Sequence, residues 1–78
     1  MPTVANLDGV KIVIHNGDHR PPHIHAIYSE YETLIEVETM KAQAGYLPAK
    51  QLKKAIDWLT GNQELALSVF YELNPQLK

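Results

Sequence analysis

The sequence predicts an α+β domain, in which an antiparallel sheet of three or four strands has one or two C-terminal helices packed on one face. Two observations predict this class. Alternating, β-branched segments occupy residues 10–15, 23–29 and 32–38, and a helical spacing of apolar residues begins only after Pro48. The chain has 78 residues and no cysteine. We therefore expect residues 1–78 to form a single domain that closes its core without a disulfide or a thiolate-bound metal.

The first predicted strand covers residues 10–15 and follows Gly9. Its apolar residues at positions 10, 12 and 14 share one face, while Lys11, Val13 and His15 share the other, because side chains alternate along a strand. Residues 1–8 show no such alternation, so we interpret them as a frayed or edge-docked arm.

The second and third strands are predicted at residues 23–29 and 32–38, joined by a short turn at Glu30 and Tyr31. A one-residue slip of this hairpin would pair core positions with charged ones, which favours a single register over its neighbours. That register places Ala26 opposite Ile35, Ile24 opposite Val37, His25 opposite Glu36 and His23 opposite Glu38.

A turn and a brief fourth strand are predicted at residues 41–47, which contain Gly45. Pro48 suits the first turn of a helix, and the apolar residues that follow recur at positions 52, 55, 56 and 59. Residues 63–73 fit both a helical stripe and a strand alternation. Their composition and a possible N-cap at Asn62 favour a helix, with Gly61 as the C-terminal cap of the helix before it.

The charge balance limits the classes of partner. Seven Lys and Arg residues stand against nine Asp and Glu, a net charge of −2, which argues against a broad basic surface for direct nucleic-acid binding. The chain has no signal-peptide pattern and no apolar run long enough to span a bilayer. We therefore expect a soluble, cytoplasmic protein with no membrane contact.

Three of the four histidines lie between Asp18 and Ala26, beside two adjacent prolines. His23 and His25 are two residues apart on a predicted strand and so point to the same side of the sheet. Pairing of the first two strands would bring His15 to them, with His19 at the rim. Candidate metal ligands are therefore His15, His19, His23 and His25.

Three interpretations of this histidine face remain open. Imidazole and carboxylate groups on a rigid sheet suit a divalent metal such as zinc, or manganese or nickel. The same groups could perform acid–base chemistry without metal, because a carboxylate fixes the histidine tautomer. Alternatively, His23 and His25 occupy the solvent face as structural partners of Glu38 and Glu36.

Several motifs together resemble the bacterial family catalogued as domain of unknown function 4160. They are Met1-Pro2-Thr3, Asp18-His19-x-Pro21-Pro22-His23-x-His25-Ala26, Tyr28, Ile35, Gly45-x-Leu47-Pro48, Trp58 and Glu64-Leu65. The resemblance covers essentially the whole chain. It implies a small stand-alone protein whose gene often neighbours one for family 2442, an arrangement similar to toxin–antitoxin operons, and hence a small protein partner.

The leading functional prediction is a protein-interaction or regulatory component of such a pair. It rests on the resemblance and on Trp58, Leu67 and Tyr71, which fall off the apolar stripes of their helices. These side chains form a surface for a partner or a homo-oligomer, or else they wrap the edge of a small core.

The alternative is a hydrolase or nuclease with acid–base or metal-binding groups at His23 and His25. Glu36 would orient them, and Arg20 with Lys50 or Lys54 would bind phosphate.

Overall fold

A computed structural model describes residues 3–15 and 21–77 of the chain. It shows a five-stranded antiparallel sheet followed by two helices. The elements are β1 Thr3–Leu7, β2 Val10–Val13, β3 His23–Tyr28, β4 Tyr31–Glu36, β5 Ala42–Tyr46, α1 Ala49–Gly61, α2 Gln63–Leu73 and a short 3-10 helix Pro75–Leu77. The α+β class and the C-terminal helices are confirmed, whereas the prediction of three or four strands is wrong.

The sheet is a simple meander, with strand order β1-β2-β3-β4-β5. Alternate residues of its three central strands form the core with apolar side chains from both helices. The core residues are Val10, Ile12, Ile14, Ile24, Ala26, Ile35, Val37, Leu47, Ala55, Leu59, Ala66 and Phe70. The helices thus pack on one face of the sheet, and the alternating residues of the other face, including His25 and Glu32, lie on the side opposite this core.

The additional strand is β1, which the sequence analysis interpreted as a frayed or edge-docked arm and which pairs with β2. Leu7 pairs with Val10 across a two-residue turn in which Asp8 and Gly9 both have positive φ, 52° and 93°. This is the backbone conformation of the tightest hairpin turns, and Asp-Gly is a favoured sequence for it. The side chain of Asn6 also accepts a hydrogen bond from the Gly9 amide at 3.1 Å.

The hairpin of β3 and β4 has a register two residues away from the predicted one. Its turn consists of Ser29 and Glu30, and Ser29 has a φ of 54°. His23 therefore lies opposite Glu36 rather than Glu38, and His25 lies opposite Leu34 rather than Glu36. A two-residue shift leaves every side chain on its predicted face but changes which residues are neighbours.

The segment that fitted both helix and strand is the helix α2. Its start is tied to the sheet by Gln63, whose side-chain amide donates to the Val37 carbonyl at 2.8 Å. Asn62 precedes α2 as predicted, but its side chain donates backwards to Trp58 of α1 instead of capping α2. Gly61 is the last residue of α1, and the helix is capped at Asn62 instead. Among residues 3–15 and 21–77, neither helix is long and apolar enough to cross a membrane.

Candidate functional site

Three histidine rings come together beside the start of β3. The ring centroids of His15 and His25 are 4.2 Å apart with an interplanar angle of 79°, and those of His23 and His25 are 5.2 Å apart. The sheet produces this arrangement because Val13 pairs with His25, which places His15, two residues further along the chain, beside the start of β3. The buried side chain of Asn74 donates to the His15 carbonyl at 3.0 Å and so fixes the backbone of His15.

Glu32 is the carboxylate partner of His25. The Nδ1 atom of His25 donates to Oε2 of Glu32 at 3.0 Å, with side-chain exposures of 16% and 52% respectively. Glu32 reaches His25 diagonally, because it is paired with Ile27, the next residue of β3 on the same face. One ligand atom from each of His15, His25 and Glu32 lies within 4.8 Å of the other two. This set of two imidazoles and one carboxylate is chemically suited to hold a divalent transition metal.

The rim of this cluster is open. His25 and Glu32 border a shallow depression of about 250 Å³ that is completed by Thr33, Leu34, Ala44 and Gly45. A small molecule or water can therefore approach the two side chains from the β4–β5 side. The same Nδ1–carboxylate hydrogen bond also favours one tautomer of His25 and a fixed ring orientation, which general acid–base chemistry requires.

His23 has a different environment from His25, although strand alternation predicts the same side of the sheet for both. It is only 1% exposed, and its ring centroid lies 5.6 Å from that of Phe70 on α2. Its Nδ1 atom lies 2.7 Å from the Pro21 carbonyl, which can only accept, so this nitrogen carries a proton. The alternative that placed His23 on the solvent face, paired with Glu38, is therefore wrong.

Among the described residues, the predicted carboxylate Glu36 is not one of the three side chains whose ligand atoms come together. Glu36 lies opposite His23 in the register, and its Oε1 accepts a hydrogen bond from the Thr39 hydroxyl at 3.2 Å. His19 and Arg20 lie outside the described residues.

The lysines that were candidates for phosphate binding lie on α1. Lys50 is exposed at the start of the helix. The ammonium group of Lys54 is 3.5 Å from a carboxylate oxygen of Asp8 in the β1–β2 turn.

Glu32 is the functional candidate that sequence reasoning missed. The error came from the turn: with Glu30 and Tyr31 as the loop, Glu36 becomes the neighbour of His25. Ser29 was the residue that indicated the turn, because serine hydroxyls hydrogen-bond to nearby backbone groups in turns. This signal is weaker than that of Asn or Gly. Moving the two-residue turn to Ser29 and Glu30 brings Glu32 diagonally beside His25.

A second candidate surface runs along α2 and the 3-10 helix that follows it. A shallow, open groove of about 590 Å³ lies there, and we call it the α2 groove; it is lined by Glu64, Leu67, Ser68, Tyr71, Glu72 and Pro75. Leu67 and Tyr71, like Trp58, are partly buried and pack against the core. The predicted patch therefore contributes to the core edge, and two of its three members also border a groove.

Exposed aromatic side chains also occur at the β4–β5 edge. Tyr31 and Tyr46 are 38% and 63% exposed, and their ring centroids are 5.6 Å apart. These two tyrosines form an exposed aromatic surface outside the α2 groove, which itself contains Tyr71.

The fold and these sites define a small α+β protein with a histidine–carboxylate cluster on the sheet face opposite its helices and an acidic groove on its last long helix. The family model described as domain of unknown function (DUF4160) matches residues 9–70 of the 78-residue chain, so the protein belongs to this family. No curated protein and no solved structure matches the chain.

Proposed function

We propose that this protein is an interaction module that binds a small protein partner through the α2 groove, as one component of a toxin–antitoxin-like pair. The observation that supports this proposal is the composition of the groove. Leu67, Tyr71 and Pro75 provide apolar surface, and Glu64 and Glu72 provide negative charge at its rim. Apolar residues within a charged rim are typical of protein-binding surfaces.

The charge of the groove indicates the chemistry of the partner. The eleven residues of α2 include two glutamates and no lysine or arginine. A partner segment with apolar residues flanked by lysine or arginine would be complementary to this surface, and electrostatic attraction would speed its association. A second copy of this chain would bring a like-charged groove to the same surface, so a basic, different protein is the better occupant.

Binding can be tested with a protein of family 2442, the kind of partner that the resemblance implies. The two proteins are co-expressed and purified, and the dissociation constant of the pair is measured by calorimetry. Leu67→Glu or Tyr71→Glu should weaken binding at least tenfold, because an introduced carboxylate would be desolvated without a partner. Since both residues are partly buried, Ser68→Arg is the more secure variant: Ser68 is exposed, and the new positive charge would repel a basic partner.

The matched control for Tyr71→Glu is Tyr46→Glu, which makes the same substitution at an exposed tyrosine of β5, outside the groove. Thermal unfolding of each variant separates loss of binding from loss of folding. Equal affinities for wild type and Ser68→Arg would refute the role of the α2 groove. Light scattering provides a further check, because a wild-type homodimer that Leu67→Glu converts to monomer would assign the groove to a second copy and contradict the proposed partner.

A further inference from the structure

We infer that His15, His25 and Glu32 form a binding site for one divalent transition-metal ion of the zinc type. Three observations lead to it. The ligand atoms of the three side chains lie within 4.8 Å of one another, they come from three different segments of the sheet region, and two of the side chains, His25 and Glu32, border an open depression. The inference concerns a site separate from the α2 groove and does not depend on partner binding.

The spacing fits a metal with little rearrangement. Zinc bonds to imidazole nitrogen and carboxylate oxygen are about 2.0–2.2 Å long, so two ligand atoms on a tetrahedral ion are separated by roughly 3.3 Å. The Nδ1 atom of His25 and Oε2 of Glu32 are already 3.0 Å apart. An ion could therefore replace the proton that these two atoms now share.

The two histidines are held by the fold, which reduces the ordering that metal binding would require. His25 belongs to a central strand, with Val13 opposite it on β2 and Leu34 opposite it on β4. The backbone of His15 is tied to α2 by the hydrogen bond from Asn74. Glu32 is the exposed member of the set, so its side chain is the one with freedom to adjust.

The ligand types identify the class of ion. Two imidazoles and one carboxylate favour zinc, cobalt or nickel over magnesium or calcium, which prefer all-oxygen sites. One carboxylate balances only half of a divalent charge. Three protein ligands would leave a coordination position for water, which is characteristic of open zinc sites.

A purely structural role for the cluster would also bring these rings together, and the two explanations differ in a measurable way. Protein without a histidine tag is stripped with a chelator and titrated with Zn²⁺ by calorimetry, and with Co²⁺ by visible absorption. We expect one ion per chain and the intense d–d bands of four-coordinate cobalt. At free zinc a hundredfold above Kd, the melting temperature should rise by on the order of 10 °C.

Glu32→Gln is the decisive variant because Glu32 is exposed and its replacement should leave the fold intact. It should weaken zinc binding at least tenfold, and His15→Gln should do the same. Glu30→Gln is the matched control, since it removes a carboxylate from the adjacent turn that is not part of the cluster. Absence of binding at millimolar zinc and cobalt would overturn the inference, and so would one-to-one binding with equal affinity in wild type, Glu32→Gln and His15→Gln.

Discussion

The close approach of β5 to β4 depends on Gly45, and its replacement by alanine should destabilise the protein strongly. Gly45 has a φ of 80°, a conformation that is unfavourable for residues with a Cβ. A Cβ at this position would also overlap the carbonyl oxygen of Glu32 and lie 3.2 Å from the Cα of Thr33. Both are backbone atoms of the paired strand, so no side-chain rotation can relieve the overlap.

The expected loss follows from these two effects. The positive φ contributes about 1–2 kcal/mol, and the displacement of one strand from its partner adds about 1–3 kcal/mol, the usual range for forced overpacking. Gly45→Ala should therefore lower the free energy of unfolding by about 2–5 kcal/mol. Small domains have total stabilities of about 5–15 kcal/mol, so the melting temperature should decrease by at least about 10 °C.

Urea unfolding followed by the fluorescence of Trp58 would measure this loss. Gly61→Ala is the internal control, because a Cβ there meets nothing within 4 Å and Gly61 is the last residue of α1. The control should leave stability unchanged or raise it by up to about 1 kcal/mol. If Gly45→Ala were within about 0.5 kcal/mol of the wild type, a change too small to separate from an ordinary surface substitution, the reasoning about the β4–β5 contact would be refuted.

Two further substitutions test hydrogen bonds made by buried polar side chains. Asn74→Ala removes the amide that donates to the carbonyls of His15 and Phe70, at 3.0 and 2.9 Å. It should lower the unfolding free energy by about 2–3 kcal/mol in urea titrations, and a wild-type midpoint would contradict it. Thr33→Val removes the buried hydroxyl that donates to the Ala44 carbonyl at 2.6 Å. A loss of about 1–2 kcal/mol is expected by the same assay, with Thr33→Ser as the control that keeps the hydroxyl.

The sequence was informative about the elements and less so about the turns between them. Each helix or strand buries one face, so its apolar residues recur at a regular spacing. This spacing repeats over many residues and can be recognised in the sequence. The Asp8-Gly9 turn depends on only two residues, so its signal in the sequence is short. Because β1 alternates weakly in polarity, only this turn indicated that the arm continues into the sheet as a paired strand.

The candidate site shows what strand alternation can predict. Alternation correctly gave the side of the sheet for His25, and it would have done so in either register, since the registers differ by two residues. It could not choose between Glu36 and Glu32 as the carboxylate, because that choice depends on which two residues form the turn.

Strand alternation also does not predict how deeply a side chain is buried, as the two histidines of β3 show. Strand alternation assigns His23 and His25 to the same side of β3, yet His23 is almost fully buried beside Phe70 whereas His25 is partly exposed and pairs with Glu32. The difference arises from α2, whose side chains reach the beginning of β3 but are not adjacent to it in sequence. Two histidines that look equivalent in the sequence therefore differ: His23 packs against α2, and His25 is available to a ligand. For this reason His15, rather than His23, is the expected second imidazole of the metal site.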